Sequence, residues 1–189
     1  SAVPKGEGGM LAVLGTEIKI ITDLLNENQK KYQCFIANDN STGQIVLSGM
    51  NKDLDALTED LKKNTIKNIR LPVSAPFHSK LMSSATEIMK QEINQSNFIH
   101  PKNTIISNVT SLETTEPNQI KELLIKQIEN PVRWRESVIY MINKGVTKFV
   151  EIGPGKVLSG LVKRIDRSVT IVSINELDDL QGVKLNDWF

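Results

Sequence analysis

Hydrophobic residues in the first 50 positions are spaced alternately as in strands and as in helices. An apolar run at 10–14 predicts a strand, and Thr16 is placed to cap a helix whose hydrophobic residues recur along one face. Two β-rich runs, 32–38 and 44–49, flank the sequence DNSTG, whose residue types favour turns. This pattern predicts a strand, a helix and then a hairpin with DNSTG as its loop.

A second helix and a further strand complete this region. Asn51 is placed to cap a helix with leucines at helical spacing, and the sequence NIRLPV at 68–73 has strand character again. The order of elements is therefore βαββαβ, that of the ferredoxin-like arrangement. We assign a ferredoxin-like subdomain to residues 8–74.

After this subdomain, the pattern predicts helices that alternate with strands at 103–109, 148–152 and 168–174. Asn130 and Pro131 are placed as the cap and the first residue of one of these helices, where the missing N–H of proline costs nothing. Alternation of this kind predicts a parallel sheet. The predicted fold class is thus α/β, with part of a parallel-sheet domain after the ferredoxin-like subdomain.

The parallel-sheet domain, over residues 75–189, is expected to be incomplete. Parallel sheets are normally covered by helices on both faces, and three strands with their helices would leave an edge open. The chain also starts like a loop entered from upstream, without Met or the pattern of a signal peptide. We therefore expect a fragment whose missing part precedes Ser1.

The net charge and the cysteine count restrict the classes of partner. With 23 basic and 22 acidic residues the net charge is +1, so no overall field favours nucleic acid or an anionic membrane. Cys34, the only cysteine, cannot form an internal disulfide, and no apolar run approaches the roughly 20 residues needed to span a bilayer. We expect a cytoplasmic protein with neither nucleic-acid nor membrane partners.

His78 is the best candidate for chemistry, because it stands between a proline-punctuated extended stretch and a helical pattern. An imidazole there could take a proton from a hydroxyl nucleophile and return it to a leaving group near neutral pH. The other interpretation is a histidine that caps the helix or lies on the surface, which the residues alone favour for want of a recognisable partner. His100, before a proline in a polar connection, is expected to be a loop residue.

The sequence contains no evident partner nucleophile. The serine elbow G-x-S-x-G does not occur, because Ser48 and Ser159 precede a glycine but lack the first one. Cys34 lies in an apolar run without a nearby cation, which favours a structural thiol.

The sequence EIGPGK favours a tight turn, with an anion contact at Lys156 as the second interpretation. Two histidines and one cysteine offer no zinc-ligand spacing.

Six sequence segments in series resemble those of one known family. In chain order they are AVPKGEGGMLAVLG, NDNSTGQIVLSG, LPVSAPFHSKLM, IISNVT, NPVRWRESV and EIGPGKVLSGLVKRI. Their order and spacing are similar to those of bacterial malonyl-CoA:acyl carrier protein transacylases, from Ala2 to about Asn175. The resemblance implies an α/β-hydrolase-like domain into which a ferredoxin-like subdomain is inserted. It also implies transfer of a malonyl group from coenzyme A to a serine, and then to the phosphopantetheine thiol of acyl carrier protein, in fatty-acid biosynthesis.

The same resemblance implies roles for five residues. His78 matches the family's catalytic histidine, and Gln127 matches the residue whose main-chain carbonyl holds that histidine, so the Gln127 side chain should matter little. Asn38 and Asn40 match loop asparagines that face the acyl or pantetheine channel. Phe77 occupies a position that in related polyketide acyltransferases correlates with malonyl over methylmalonyl.

Three functional residues of the family would all precede Ser1: the nucleophile in a GHSLG elbow, a malonate-binding arginine and an oxyanion-hole glutamine. The implied partners are therefore malonyl-CoA, acyl carrier protein and the missing N-terminal segment, with no bound cofactor. Loss of a nucleophile removes most of the catalytic rate, so we expect no transfer by the chain alone.

Two alternatives stay open. The chain could be a non-catalytic module that binds acyl carrier protein through four basic residues, Lys62, Lys63, Lys67 and Arg70. It could instead be an acyltransferase of a polyketide or secondary pathway, which the acyl-CoA preference of a complete enzyme would distinguish.

Overall fold

The computed structural model describes Val3, Pro4 and residues 6–181, which form a mixed α/β structure. These residues divide into two compact units, one that ends at Ser137 and one that begins at Val138. The predicted boundary between residues 74 and 75 lies inside the first unit and stays a prediction.

The first unit opens with a four-stranded sheet and two helices. In chain order these elements are β1 (Gly8–Leu14), α1 (Ile18–Glu27), β2 (Cys34–Ser41), β3 (Gln44–Met50), α2 (Asn51–Lys63) and β4 (Lys67–Arg70). The strand order in the sheet is β2-β3-β1-β4, and each neighbouring pair is antiparallel. The elements therefore follow the predicted sequence of strand, helix, two strands, helix and strand.

The core of this sheet forms because alternate strand residues and one helix face are apolar. Leu11 and Val13 of β1 are buried in one cluster with three leucines of α2 that recur at helical spacing, Leu54, Leu57 and Leu61. A smaller buried cluster consists of Met10, Ala37 and Val46. Both clusters hold β1 at the centre of the sheet.

The hairpin between β2 and β3 is tighter than the sequence predicts. Ser41 pairs with Gln44, so the loop consists of Thr42 and Gly43 and the predicted DNSTG loop is wrong. Gly43 has φ +73°, a value that two-residue hairpin turns favour and that glycine adopts without a steric penalty. Strand β2 therefore carries polar residues as far as Ser41.

The predicted helix caps Thr16 and Asn51 are also wrong. The residues at the cap positions are Glu17 for α1 and Met50 for α2, and neither makes a side-chain cap hydrogen bond. Asn51 is instead the first residue of α2, and its Nδ2 donates to the carbonyl oxygen of Gly6 at 2.6 Å. The Asn51 side chain thus holds the chain that leads into β1.

The remainder of the first unit is mostly helical. It contains a 3-10 turn (Lys80–Met82), α3 (Ser83–Gln95), β5 (Ile105–Ile106), β6 (Glu113–Thr114), α4 (Pro117–Gln127) and the start of α5 (Trp134–Asn143).

The strand predicted at 103–109 is wrong in its length and in its pairing. Only β5 is extended, and it pairs antiparallel with β6. The N–H of Ser107 donates to the carbonyl oxygen of Leu112 at 3.0 Å, which turns the chain back immediately after the strand. Ile105 is 40% exposed, so this strand is not the buried parallel strand that its apolar residues suggested.

The helix start predicted at Asn130 and Pro131 is wrong as well, because α5 begins at Trp134. Val132 pairs with Asn38 of β2 in an isolated parallel bridge, and its main-chain groups are therefore engaged outside any helix. The Nδ2 of Asn130 donates to the carbonyl oxygen of Lys126 at 2.7 Å and so binds the end of the preceding helix.

The second unit contains β7 (Lys148–Ile152), α6 (Val157–Ile165), β8 (Thr170–Ile174) and α7 (Leu177–Gln181). Strands β7 and β8 are parallel, in a continuous register from Lys148 with Thr170 to Ile152 with Ile174. The parallel pairing of these two predicted strands is confirmed. Across both units, no helix among the described residues is long and apolar enough to cross a membrane.

Candidate functional site

His78 lies in an irregular turn that packs against the first strand of the sheet. Pro76, two residues earlier, is fully buried, and it lies so close to Gly8 that a Cβ on Gly8 would be 2.4 Å from Pro76 Cδ. The turn continues through Ser79, whose buried hydroxyl donates to the carbonyl oxygen of Pro76 at 2.7 Å. The His78 loop is therefore anchored on both sides of the histidine.

The backbone of His78 is strained. Its φ is +58°, in the left-handed region that non-glycine residues rarely adopt. Such conformations cost about 1–3 kcal/mol each and are retained where the surrounding structure imposes them. Here the anchored turn imposes the conformation, and its effect is to aim the imidazole.

The imidazole contacts the main-chain group that the family resemblance implied. The Nδ1 of His78 lies 3.0 Å from the main-chain carbonyl oxygen of Gln127, the last residue of α4. A carbonyl oxygen can only accept, so the hydrogen bond requires the proton on Nδ1 and leaves Nε2 as the basic nitrogen of the neutral ring. The helix-cap interpretation of His78 is not supported, because Ser79 holds the cap position of the 3-10 turn.

The Gln127 side chain also makes contacts. Its Nε2 donates to the carbonyl oxygen of Asn130 at 2.8 Å and lies 3.4 Å from that of Pro131. The side chain therefore closes the turn that follows α4, immediately beside the carbonyl that contacts His78. The expectation that this side chain should matter little did not anticipate these contacts.

The turn that follows α4 is hydrogen-bonded to the edge strand of the sheet. The N–H of Val132 donates to the carbonyl oxygen of Ala37 at 2.8 Å, and the N–H of Asp39 donates to the carbonyl oxygen of Val132 at 2.9 Å. Because β2 is an edge strand, its free side is available for this short parallel pairing. The segment after α4 is thus fixed to the strand that carries Asn38 and Asn40.

The structure does not gather all five predicted site residues at one place. Asn38 and Asn40 are partly exposed and flank Asp39 in β2, whereas Phe77, next to His78 in sequence, is 43% exposed. His78 lines a groove of about 750 Å³, and neither asparagine nor Phe77 is among the lining residues. A hydrogen bond joins two of the five, His78 and Gln127.

The groove beside His78 lies between α1, the start of β2 and the turn after α4. Its other lining residues are Thr22, Leu25, Asn26, Gln29, Tyr32, Gln33, Cys34, Phe35, Ile36, Ser79, Lys80, Leu81, Glu129, Asn130 and Pro131. This volume falls within the range of ligand-binding clefts in proteins. The lining combines side-chain amides with apolar and aromatic residues.

Cys34 is among the residues that line this groove, but its thiol is a poor nucleophile. Burial raises the pKa of Cys34 to about 12, with the nearby carboxylate of Asp53 adding to the shift and Arg70 opposing it. Because the thiolate is the reactive form, a thiol with this pKa is almost entirely protonated at neutral pH. The predicted structural role of Cys34 is consistent with this environment.

In the part of the chain that the structure describes, no group of three or more His, Cys, Asp or Glu residues could hold a metal ion.

In the second unit, the start of α6 is already occupied by a carboxylate. The carboxylate of Glu151 accepts hydrogen bonds from the N–H groups of Leu158 at 3.0 Å and Ser159 at 2.7 Å. Hydrogen bonds from Ser159 are the main cause that lowers the pKa of Glu151. These contacts favour the tight-turn interpretation of EIGPGK over an anion site at Lys156, because the chain supplies its own anion there.

The four basic residues considered as a docking patch are largely neutralised. Lys62 forms an ion pair with Glu59 at 2.8 Å, and Lys63 forms one with Asp60 at 3.5 Å. Arg70 donates to Asp55 at 2.6 Å, and Lys67 is exposed at the start of β4. Three of the four positive charges therefore have carboxylate partners within this chain.

One buried ion pair near the site was not found from the sequence. Arg135 in the first turn of α5 binds Asp39 of β2, across 96 positions of the chain. The only sequence signal was a charged residue between two asparagines in a β-rich run, and nothing local indicated its partner.

Comparisons with known proteins show what this chain resembles. The family model described as "Acyl transferase domain" matches residues 2–178. The malonyl CoA-acyl carrier protein transacylase of Bacillus subtilis (strain 168) is 42% identical over 184 residues, which are 95% of this chain and 57% of that protein. The protein of the same name from Staphylococcus aureus (strain MRSA252) is 40% identical, over 98% of this chain and 61% of its own length. The chain thus spans less than two thirds of these relatives.

Solved structures show the same resemblance. The malonyl CoA-acyl carrier protein transacylase of Clostridium perfringens is 36% identical, and it superposes with a TM-score of 0.92 over 100% of this chain and 59% of its own. A type II polyketide acyl carrier protein in complex with its malonyl-transacylase gives a TM-score of 0.92 at 31% identity, over 98% of this chain and 60% of that one.

Proposed function

Because this chain belongs to the acyl transferase domain family, we propose that it is the histidine-bearing part of a malonyl-CoA:acyl carrier protein transacylase. The reaction is transfer of a malonyl group from malonyl-CoA to the phosphopantetheine thiol of acyl carrier protein, through a seryl ester. The contact between His78 Nδ1 and the Gln127 carbonyl oxygen carries this proposal, because it leaves Nε2 free to act as a base.

His78 acts twice in each half of the reaction. Its Nε2 takes the serine hydroxyl proton as the serine oxygen attacks the thioester carbonyl, and the imidazolium then gives that proton to the departing thiolate of coenzyme A. In the second half, Nε2 takes the proton of the phosphopantetheine thiol as its sulfur attacks the seryl ester. The imidazolium returns this proton to the serine oxygen, which restores the starting state.

The Gln127 carbonyl orients the ring and stabilises the imidazolium that forms in each half. A triad carboxylate does the same work in other hydrolases and transferases. A carbonyl oxygen carries only a partial negative charge, so it holds the tautomer without adding a full charge to the site.

The nucleophile belongs to a segment that this sequence does not contain. No G-x-S-x-G elbow occurs in the 189 residues, whereas the relatives extend well beyond the part that they share with this chain. We assign the serine, the malonate-binding arginine and the oxyanion-hole glutamine to an N-terminal segment of the same enzyme. In this arrangement the βαββαβ region, 8–74, is the ferredoxin-like subdomain, and residues 75–189 belong to an α/β-hydrolase-like domain.

Acyl carrier protein and malonyl-CoA are the partners, and no cofactor is required by this chemistry. A solved malonyl-transacylase of similar fold is in complex with an acyl carrier protein, which supports that partner. Asn38 and Asn40 are assigned to the acyl or pantetheine channel, and Phe77 to the choice of malonyl over methylmalonyl. The reaction takes place in the cytoplasm, and its product, malonyl-acyl carrier protein, supplies fatty-acid synthesis.

The test is mass-spectrometric detection of malonyl-acyl carrier protein after incubation with malonyl-CoA. The chain is assayed alone and with an added N-terminal segment that carries a serine elbow of the G-x-S-x-G type. Two variants accompany it, His78→Ala and His100→Ala, because His100 is the other histidine and lies exposed in a loop.

Transfer that needs the added segment, survives His100→Ala and is lost in His78→Ala is the expected result. Transfer by the chain alone would show that the nucleophile lies within these residues. Equal transfer by the His78→Ala variant would contradict the assigned base. A preference for another acyl-CoA would move the assignment to a polyketide acyltransferase. Salt-dependent binding of acyl carrier protein without transfer would favour the binding module, although the paired charges of Lys62, Lys63 and Arg70 weigh against that surface.

A further inference from the structure

We propose that the ion pair between Asp39 and Arg135 positions His78, by fixing the segment that holds the Gln127 carbonyl. The catalytic meaning of this connection rests on the proposed function. The tautomer of the His78 ring, however, can be measured without acyl transfer, so the two proposals can fail separately.

The ion pair is two-pronged and buried. The Nε of Arg135 lies 3.0 Å from both carboxylate oxygens of Asp39, and its Nη2 lies 2.7 Å from Oδ2. The Asp39 side chain is 4% exposed and that of Arg135 is 25% exposed. A carboxylate buried to this degree is stable only while its charge is paired. The Arg135 guanidinium donates to both carboxylate oxygens of Asp39, so a displacement of either residue breaks this pairing.

The shape of β2 directs Asp39 toward its partner. The pairing of β2 with β3 shifts register between Ile36 and Asn38 and again between Asp39 and Ser41. Irregularities of this kind bend a strand and re-aim its side chains. Because β2 is also the edge strand, Asp39 can meet an element that lies outside the sheet.

Arg135 and Val132 hold the same stretch of chain against β2. Val132 makes two main-chain hydrogen bonds with Ala37 and Asp39, but a single bridge at an edge strand gives little resistance to sliding or opening. Three residues later, Arg135 adds a geometrically fixed contact to the same Asp39. The ion pair and the bridge together clamp residues 132–135 to the strand.

The clamped residues 132–135 directly follow the turn to which the Gln127 side chain is hydrogen-bonded. The Gln127 side chain donates to the carbonyl oxygen of Asn130 and contacts that of Pro131, which precedes Val132. A displacement of this turn therefore moves the Gln127 main-chain oxygen away from His78 Nδ1. The tautomer of the neutral ring is set by that hydrogen bond, so Asp39 and Arg135 act on the imidazole without touching it.

The experiment measures the tautomer of His78 by ¹⁵N NMR of its ring nitrogens. The 189-residue chain is used in a His100→Gln background, in which His78 is the only histidine, at a pH where the ring is neutral. Three variants weaken the clamp: Asp39→Asn, Arg135→Gln and Arg135→Lys. The control is Glu59→Gln, which removes one carboxylate charge from α2, where Glu59 forms an exposed ion pair with Lys62. Backbone amide spectra of the four-stranded sheet report in each case whether the fold is intact.

In the parent chain the Nδ1–H tautomer is expected to predominate. Asp39→Asn and Arg135→Gln should lower the ratio of Nδ1–H to Nε2–H by roughly fivefold, the factor that one neutral hydrogen bond commonly supplies. Arg135→Lys, which keeps the charge but loses the planar fork, should give a smaller decrease. Glu59→Gln should leave the ratio unchanged.

An unchanged ratio in Arg135→Gln with an intact sheet would overturn the proposal. An equal change in Glu59→Gln would also overturn it, because the effect would then follow charge and not the clamp. If Asp39→Asn does not fold, Arg135→Lys decides, because it keeps a positive charge beside the buried Asp39 carboxylate.

Discussion

Gly8 and Pro76 are in such close contact that the smallest added side chain would not fit between them. A Cβ on Gly8 would lie 2.4 Å from Cδ, 3.0 Å from Cγ and 3.1 Å from N of Pro76. Gly8 belongs to β1 and Pro76 to the turn that carries His78. The absence of a side chain in the sheet therefore allows the candidate catalytic loop to pack directly against it.

Gly8→Ala should accordingly destabilise the protein and displace the His78 turn. Overpacking of this kind costs about 1–3 kcal/mol, which urea denaturation would measure as a lower free energy of unfolding. Gly160→Ala is the matched control, because nothing lies within 4 Å of a Cβ there and the residue is inside α6. That control should be stabilising by about 0.5–1 kcal/mol. Equal effects of the two substitutions would contradict the close packing of Gly8.

The strain at His78 predicts an unusual order of stability between two variants. Since φ is +58°, His78→Gly should be more stable than His78→Ala by roughly 1 kcal/mol, the cost of a left-handed conformation for a residue with a Cβ. At Lys90, exposed within α3, the order should be reversed, with glycine less stable than alanine by about 0.5–1 kcal/mol. The same order at both positions would show that His78 carries no such strain.

Gln127 should have two separate effects. Its main-chain carbonyl holds His78, and its side chain should contribute to the stability of the fold. Gln127→Ala keeps the main-chain oxygen but loses the donor to Asn130, so the free energy of unfolding should fall by about 0.5–1.5 kcal/mol. Gln91→Ala, at an exposed position of the neighbouring helix α3, should change it by no more than about 0.5 kcal/mol. If Gln127→Ala leaves the free energy of unfolding unchanged, only the main-chain carbonyl of Gln127 is important, as the resemblance implied.

Cys34 should resist alkylation in the folded protein. Burial raises the pKa of this thiol to about 12, so the thiolate fraction stays small at pH 8 and the reaction with iodoacetamide should be slow. In denaturant the thiol regains an ordinary pKa of about 8.5, and the rate at the same pH should rise at least tenfold. Comparable rates in the two states would contradict the buried environment of Cys34.

Acid should weaken the fold in part through Asp60. A hydrogen bond from Lys31, at 2.6 Å, is the main cause that lowers the Asp60 pKa below its ordinary value. A carboxyl group whose pKa is lower in the folded state stabilises the fold above its unfolded pKa, about 3.9, and this contribution disappears as the pH falls through the folded value. Asp60→Asn should therefore flatten the loss of stability below about pH 4, as followed by thermal unfolding at several pH values. An unchanged acid profile would exclude Asp60 as a contributor.

The sequence by itself determined the order of elements in the sheet region and the parallel strands near the end of the chain. These features follow from the spacing of apolar residues, as in Leu54, Leu57 and Leu61, because the periodicity of a strand or helix is a local property. The motif series around His78 also identified the candidate base, although the residues near it gave no indication of its partner.

Only the tertiary structure decided which distant groups meet. Arg135 reaches Asp39 across 96 positions without any signal in the sequence, whereas the Gln127 carbonyl, 49 positions from His78, was implied only by the family resemblance and not by the residues beside it. Val132 is a further case. The sequence predicted that it lies in a helix, but it pairs with Asn38 at the free edge of β2 in an isolated bridge. A main-chain N–H or C=O group forms its hydrogen bond with a strand edge or side chain that lies close to it in the folded protein. Which groups lie close together depends on how the sheet and the helices pack, and not on the neighbouring residues in the sequence.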